Sequence, residues 1–254
     1  MSIFTRHFMN IRLKIEQVLP AQPCLLCGAA SRNGAWCAPC DAAMPYLPAS
    51  HCPVCALPTL NGATCGRCLK QAPQFDRALA VFAYTFPLDK MVQALKFNEQ
   101  LMLARLLAEK LAQRITIRPD CIVAMPLHPA RLRERGFNQS LELARQIAGH
   151  LKIPLLSHAC QRVRDTPPQS TLPWKERGRN MRKAFTCTED LSGKHVAVVD
   201  DVMTSGASIN ELARALRQAG AREISAWVVA RTLPPPGLPQ AALASTRPLS
   251  RIAP

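Results

Sequence analysis

The sequence Lys-His-Val-Ala-Val-Val-Asp-Asp-Val-Met-Thr-Ser-Gly-Ala-Ser at residues 194–208 decides the fold. Its apolar run at 196–199 ends in Asp200 and Asp201. A short unbroken apolar run of this kind is typical of a strand that is buried on both faces of a parallel sheet. A helix is predicted to follow, because apolar residues recur at helical spacing over 209–219.

This predicted helix carries sequence signals at both ends. Ser208 and Glu211 have the spacing of an N-terminal capping box. Gly220 stands where a left-handed C-terminal cap is expected. Strand, loop and helix therefore form one βα unit.

The loop between strand and helix offers hydroxyls and backbone amides at the positive end of the helix dipole, where a phosphate is stabilised. The two adjacent carboxylates at the strand end are placed to accept hydrogen bonds from vicinal ribose hydroxyls. The pattern therefore predicts a ribose 5-phosphate site, whereas an ordinary βα turn would not account for two adjacent acids. The candidate residues are Asp200, Asp201, Val202, Met203, Thr204, Ser205, Gly206, Ala207 and Ser208.

Residues 198–208 resemble the phosphoribosyl pyrophosphate (PRPP) loop of the type I phosphoribosyltransferases. The family pattern has two acidic residues followed by Thr-Thr-Gly-x-Thr. Serine replaces threonine at Ser205 and Ser208, which keeps the hydroxyls. The resemblance implies an α/β fold with a parallel sheet flanked by helices, and it implies PRPP bound together with Mg²⁺. Asp200 and Asp201 are then the candidate catalytic residues, with Asp201 expected to act on a proton or to stabilise developing charge.

Eight cysteines near the N-terminus form four Cys-x-x-Cys pairs, and the last two pairs repeat the first two at a displacement of 28 residues. Four thiolates complete a tetrahedral structural zinc site. The repeat favours two sequential Zn²⁺ sites over an interleaved arrangement or one metal with spare thiols. Disulfides are disfavoured because no export signal is recognised, and a redox-active pair is the remaining alternative. The predicted ligands are Cys24, Cys27, Cys37, Cys40, Cys52, Cys55, Cys65 and Cys68.

A second buried strand is predicted at 121–125, with a helix from 131 to about 151. Ligands of open parallel sheets lie outside the carboxyl ends of the strands. The loop after this second strand is therefore expected to line the same ligand-binding cleft as the aspartate pair. Its candidates for pyrophosphate and Mg²⁺ are Leu127, His128 and Arg131.

A basic, proline-broken segment at 162–183 predicts either a mobile flap or an exposed insertion. Arg177 on this segment is a further candidate for closing the site over pyrophosphate.

Four parts are expected along the chain. They are an amphipathic helix at 1–20, a double zinc module at 21–72, a phosphoribosyltransferase-like domain at 73–232 and a proline-rich disordered tail at 233–254. The first helix is expected to dock on the rest of the protein, with a partner or membrane surface as the alternative. No apolar run is long enough for a membrane span and no secretory signal is recognised, so a cytoplasmic location is expected.

Several further motifs occur in a fixed order and resemble the ComF/GntX family of phosphoribosyltransferase-like proteins. They include the cysteine pairs, Ala-Leu-Lys-Phe at 94–97, Arg-Gly-Phe-Asn-Gln at 135–139 and the PRPP loop. The resemblance covers roughly 22–232. It implies a zinc-ribbon-like module on a type I phosphoribosyltransferase domain, in a family associated with natural transformation and the handling of incoming DNA.

The formal net charge of +15 indicates polyanionic partners. Eight thiolates and two Zn²⁺ would lower it by four, to about +11. One hypothesis is an enzyme that transfers a phosphoribosyl group from PRPP and releases pyrophosphate. The second is a non-catalytic PRPP or nucleotide sensor that binds single-stranded DNA through its basic surface, in contact with the DNA-uptake machinery. A transcription regulator is a third, for which no helix-turn-helix pattern is visible. The sequence identifies no phosphoribosyl acceptor, leaves turnover open and does not fix the oligomeric state.

Overall fold

The computed structural model describes residues 22–31, 36–97, 100–164 and 181–234. The chain divides into two compact units, Met1–Met44 and Pro45–Pro254. The predicted N-terminal helix, most of the predicted flap including Arg177, and the tail beyond residue 234 lie outside the described residues.

The smaller unit contains the first cysteine group. Strand β1 (Gln22–Pro23) pairs antiparallel with β2 (Ala30–Ser31), and helix α1 (Ala38–Ala42) follows. Two of the cysteines precede β2 and the other two lie at the start of α1, so the hairpin and the helix bring all four together.

The larger unit opens with the second cysteine group, which contains a 3-10 turn (Leu60–Gly62) and helix α2 (Gly66–Lys70). An alternation of strands and helices follows. Its elements are β3 (Arg77–Ala83), α3 (Leu88–Phe97), α4 (Met102–Ala112), β4 (Cys121–Ala124), α5 (Pro129–Arg135), α6 (Gln139–Leu151), β5 (Cys160–Arg162), β6 (Phe185–Cys187), β7 (His195–Met203), α7 (Ala207–Gln218) and β8 (Glu223–Arg231).

Four of these strands form one parallel sheet in the order β3-β8-β7-β4. The apolar residues 196–199 of β7 are completely buried, because helices pack on both faces of a central parallel strand. The predicted α/β fold with a parallel sheet flanked by helices is confirmed. Strands β5 and β6 form a separate antiparallel pair.

Irregular chain segments pair with both outer strands of the sheet. Along β3 the partners come from the stretch that carries the second cysteine group. These bonds join Ala83 N to Pro45 O at 2.7 Å, Leu47 N to Val81 O at 2.9 Å and Ala78 N to Pro53 O at 3.2 Å. Residues 154–156 do the same beside Ile122 of β4. Neither outer strand therefore presents a fully open row of backbone groups.

The single helix predicted from residue 131 to 151 is wrong, because the chain forms two helices there. Helix α5 ends at Gly136, whose φ of 80° is left-handed. Helix α6 then begins behind Asn138, whose side-chain oxygen accepts hydrogen bonds from the amides of Ser140 and Leu141. A left-handed glycine followed by an asparagine cap ends one helix and starts another.

Candidate ribose phosphate site and metal centres

Strand β7 runs through both aspartates to Met203, further than the apolar run alone indicates. A short loop follows, and α7 begins at Ala207 behind Gly206, whose φ is 81°. Only glycine adopts this left-handed conformation without steric cost. The predicted strand–loop–helix order is thus present, and the loop itself consists of residues 204–206.

The predicted capping box at this helix is wrong. Gly206 occupies the N-cap position, and the hydroxyl of Ser205 accepts a hydrogen bond from the amide of Ala207 at 3.2 Å. The Glu211 carboxylate instead accepts from the amide of Lys183 at 2.7 Å. Glu211 therefore makes a tertiary contact in place of the capping contact that the local pattern predicts.

The carboxyl end of β7 and the start of α7 enclose a small cleft. Asp200 reaches it, whereas Asp201 and Ser205 are not among its lining residues. The cleft is lined by Asp200, Val202, Met203, Thr204, Gly206, Ala207, Ser208 and Ile209. Hydroxyls, backbone amides and one carboxyl group thus meet at the N-terminus of a helix, which favours an anion.

The two aspartates are both buried, with 8% of Asp200 and 4% of Asp201 exposed. The Ser140 hydroxyl donates to Asp200 Oδ1 at 2.8 Å, and the Asp201 amide donates to the same oxygen at 2.9 Å. The Asp201 carboxylate forms an ion pair with the ammonium group of Lys96. Each acid therefore has its own partner.

These partners give the two carboxyl groups different proton affinities. Burial, with the neighbouring Asp201 charge, raises the pKa of Asp200 from 3.8 to about 8. Burial also acts to raise the pKa of Asp201, but the Lys96 ammonium group outweighs it and the pKa is lowered. At neutral pH the pair carries close to one negative charge, which Lys96 balances.

Sequence reasoning did not assign Lys96 to the site, and among the alternate arginines at 131, 133 and 135 it singled out only Arg131. Lys96 lies at the end of α3 and Arg135 at the end of α5, 105 and 66 residues before Asp201. The Arg135 guanidinium lies 5.1 Å from the centre of the Phe97 ring and donates to Gln139 Oε1 at 2.6 Å. Burial lowers the pKa of Arg135, and the Asp201 charge opposes that effect. The sequence does contain a signal for these two site residues, because the Ala-Leu-Lys-Phe motif includes Lys96 and the Arg-Gly-Phe-Asn-Gln motif begins with Arg135.

The loop after β4 starts beside the end of β7. The Met125 amide donates to Val199 O at 2.8 Å, and Asn138 Nδ2 donates to Met125 O at 3.0 Å. His128 is the N-cap of α5. The roles predicted for Leu127, His128 and Arg131 in holding pyrophosphate remain predictions.

The cysteines form two sequential groups of four, as the repeat predicts. Within each group the sulfur atoms lie within 4.8 Å of one another. A tetrahedral zinc with Zn–S bonds of about 2.3 Å requires sulfurs about 3.8 Å apart. The closest pairs agree, with Cys27 and Cys37 at 3.7 Å and Cys55 and Cys65 at 3.6 Å. Both groups fit structural zinc.

The two groups share a further detail. The Cys37 amide donates to Cys24 Sγ and the Cys65 amide donates to Cys52 Sγ, both at 3.3 Å. In the second group the Cys68 thiol lowers the pKa of Cys55 to about 5 by hydrogen bonding to its thiolate. All four sulfurs of this group are buried, so a metal bound there is enclosed by thiolates and has no open position for substrate.

Two domain families match the chain. The phosphoribosyl transferase domain family matches residues 137–241, and the double zinc ribbon domain family matches residues 15–69. The fold and the sites thus define a phosphoribosyltransferase-like protein with an N-terminal double zinc ribbon. No helix in the described part of the chain is long and apolar enough to span a membrane.

Two curated relatives define the family further. Competence protein F of Haemophilus influenzae is 36% identical over 174 residues, which are 64% of this chain and 76% of the relative. DNA utilization protein YhgH of Salmonella typhi is 36% identical over 173 residues, or 65% and 76% of the two chains. The chain belongs to the ComF family of phosphoribosyltransferase-like, competence-associated proteins.

Among solved structures, a glutamine PRPP amidotransferase from B. subtilis matches with 22% identity and a TM-score of 0.34. The match covers 49% of this chain and 25% of the amidotransferase.

Proposed function

We propose that the chain binds PRPP together with Mg²⁺ at the carboxyl end of β7. The loop at 204–208 receives the 5-phosphate, and the Asp200 and Asp201 carboxyl groups receive the ribose hydroxyls. One observation carries the proposal: Asp200 lines the same cleft as the hydroxyls and amides at the N-terminus of α7. That combination matches the anionic and the hydroxyl-bearing ends of one ligand.

We also propose that bound PRPP is a substrate. A nitrogen nucleophile forms a bond to carbon 1 of the ribose, the bond from carbon 1 to pyrophosphate oxygen breaks, and pyrophosphate leaves with the electron pair. The leaving pyrophosphate takes up the proton that the nitrogen loses as the bond forms. Asp201 is held ionised by Lys96, so it can stabilise positive charge that develops on the sugar. Mg²⁺ would supply charge neutralisation on the leaving pyrophosphate.

Lys96 also bears on the leaving group. Its ammonium group pairs with the Asp201 carboxylate. The ammonium group has three N–H donors, so it can keep the ion pair with Asp201 and also donate to an anionic oxygen of pyrophosphate. Leu127 through its backbone, His128 and Arg131 are the other candidates on this side, and Arg177 belongs to the part of the chain outside the described residues.

Calorimetry with PRPP and Mg²⁺ on zinc-loaded protein tests the binding proposal. We expect saturable heat for the wild type and none for the double variant Asp200→Asn with Asp201→Asn. Asp190→Asn is the control, because Asp190 is exposed and its carboxylate accepts only local hydrogen bonds from Ser192 in the described contacts. Absence of heat in the wild type would overturn the proposal. Pyrophosphate release in the presence of nitrogenous bases and amines then tests turnover.

A second candidate function is binding of single-stranded DNA beside this site. Phe97 is 70% exposed, and the Arg135 guanidinium lies against its ring. Arg131 and Arg133 lie on the same short helix as Arg135. An exposed aromatic ring among cations is the combination that stacks a base and neutralises its phosphate. The large positive charge and the names of the relatives support this candidate.

Salt-dependent binding of a single-stranded oligonucleotide tests this second function. We expect Phe97→Ala to weaken binding about tenfold, in line with about 1–3 kcal/mol for stacking one base. Phe86→Ala is the matched control, since Phe86 is 76% exposed. The Asp200→Asn, Asp201→Asn variant should keep its DNA affinity. If DNA binding collapsed in that folded variant, the two binding surfaces would not be separate.

A further inference from the structure

Three consecutive carbonyl groups of the phosphate loop accept hydrogen bonds from arginine side chains. Arg231 Nη1 donates to Met203 O at 2.8 Å and also to Thr204 O. Arg67 Nη2 donates to Ser205 O at 2.9 Å. Arg67 and Arg231 are 164 residues apart in sequence, so the loop is held from two different elements.

This arrangement fixes the direction of the loop amides. In a planar trans peptide the C=O and N–H groups point in opposite directions. Carbonyls that are held on the arginine side therefore turn the following amides, those of residues 204–206, towards the other side. Those amides are the groups that a phosphate needs at a helix N-terminus.

Both arginines are tied to the second cysteine group, Arg67 by its position in the sequence and Arg231 by a hydrogen bond. Arg67 lies in α2 between Cys65 and Cys68. Arg231 is completely buried at the end of β8, and its Nε donates to Cys55 O at 2.9 Å. Metal bonds to the flanking cysteines would fix the position of each anchor.

The charge of Arg231 also points to the second cysteine group. Its Nη2 atom is buried and has no hydrogen-bond partner within the described residues. Its Nε bond to Cys55 O places the guanidinium beside the ligands of the second group. A buried guanidinium is costly unless a negative charge compensates it. A zinc ion with four thiolates carries two net negative charges and supplies that compensation.

We propose that the second zinc site, acting through Arg67 and Arg231, holds the phosphate loop in the conformation that binds PRPP. Arg67 and Arg231 are thus positioning residues, and PRPP affinity depends on zinc in the second group but not on zinc in the first. The inference about affinity rests on the proposed function. The ordering of the loop itself can be measured without any ligand.

The internal repeat provides a matched pair of variants. Cys65→Ser removes a ligand of the second group, and Cys37→Ser removes the equivalent ligand of the first. Zinc content, PRPP calorimetry and hydrogen exchange of the amides at 204–208 are measured on the full chain. We expect each variant to lose one zinc ion. Cys65→Ser should weaken PRPP binding at least tenfold and speed exchange in the loop, whereas Cys37→Ser should change affinity less than twofold.

Arg67→Gln keeps all eight cysteines and therefore tests the link itself. We expect two zinc ions, an unchanged melting temperature, faster loop exchange and about tenfold weaker PRPP binding, in line with the loss of a charge-assisted hydrogen bond. Arg67→Lys keeps a donor and should recover part of the affinity. Lys70→Gln, on the same helix, is the control and should bind like the wild type.

The outcomes separate the two proposals. Unchanged loop exchange and affinity in Arg67→Gln and in a folded Cys65→Ser variant would overturn the coupling, even when the wild type binds PRPP. Equal weakening by Cys37→Ser would also overturn it, since zinc would then act through general stability. Failure of the wild type to bind PRPP would overturn the proposed function and the affinity part of this inference together.

Discussion

Ser140 donates its hydroxyl hydrogen to Asp200 Oδ1 at 2.8 Å, across 60 residues of sequence. The bond joins the first turn of α6 to the end of the central strand β7. Ser140 is almost completely buried, so water does not compete for its hydroxyl group. The orientation of Asp200 is therefore set by a helix that begins at the Asn138 cap.

The raised pKa of Asp200 predicts a pH-dependent stability. Between about pH 4 and pH 8 the folded chain keeps a proton that the unfolded chain releases, so the free energy of unfolding falls as pH rises through this window. Asp200→Asn removes this loss and should raise stability at pH 8, relative to pH 4, by up to about 5 kcal/mol, since each of the four pH units contributes about 1.4 kcal/mol. Urea unfolding of both proteins at the two pH values measures it. The contribution of the cysteine thiols is the same in variant and wild type, so it cancels in the comparison. An equal change in the free energy of unfolding with pH in both proteins would contradict the prediction.

Removal of Lys96 should destabilise the chain through Asp201. Lys96→Met leaves a buried carboxylate without its cation, which costs about 3 kcal/mol at pH 7. The pKa of Asp201 should then rise, so the loss should shrink as pH falls. Asp201→Asn in the same chain should restore most of the stability, and a double-mutant cycle from denaturant unfolding measures the coupling. Additive single effects would rule out the buried pair as the cause.

Asn138 caps α6 and also bonds the loop after β4. Asn138→Ala should cost about 1–2 kcal/mol, because it removes the acceptor for two helix amides and the donor to Met125 O. Asn138→Asp keeps the cap but loses that donor, so it should lie between alanine and the wild type. Thermal unfolding of the three proteins ranks them, and equal values for alanine and aspartate would show that the cap contributes little.

Three glycines predict three different responses to alanine. Gly220 has a φ of 94°, and an added Cβ would lie 2.8 Å from Ser192 Oγ, so Gly220→Ala should cost more than about 2 kcal/mol. Gly206 has a φ of 81° with more space, so Gly206→Ala should cost about 1–2 kcal/mol. Gly149 lies inside α6 with nothing near its Cβ position, and Gly149→Ala should stabilise by about 0.5–1 kcal/mol. Urea midpoints in any other order would contradict this ranking.

Local patterns in the sequence predicted the features that depend on neighbouring residues. The apolar run before Asp200 predicts a buried parallel strand, and β7 is the central partner of both β4 and β8. The repeat of the cysteine pairs predicts the two sequential groups. Both signals are strong because every residue in them is constrained by the same structural requirement.

Features that depend on distant residues could not be predicted in this way. Lys96 meets Asp201 because α3 ends beside the carboxyl end of β7, and no spacing in the sequence encodes that contact. Glu211 does not cap α7 as predicted, because its carboxylate accepts a hydrogen bond from the Lys183 amide. The break at Gly136 was missed because the arginines around it fit a helix, whereas one left-handed residue ends it.

The pairing of β3 with residues 45–53 has a consequence for dissecting the molecule. A fragment that starts after the second cysteine group would lose the backbone hydrogen-bond partners of Ala78, Val81 and Ala83. It would expose β3 as an edge strand that can pair with another copy of the fragment. The same cut would deprive Arg231 of the Cys55 carbonyl. A phosphoribosyltransferase-like domain excised in this way is therefore expected to self-associate, whereas retaining the chain from Pro45 onwards keeps this strand edge covered.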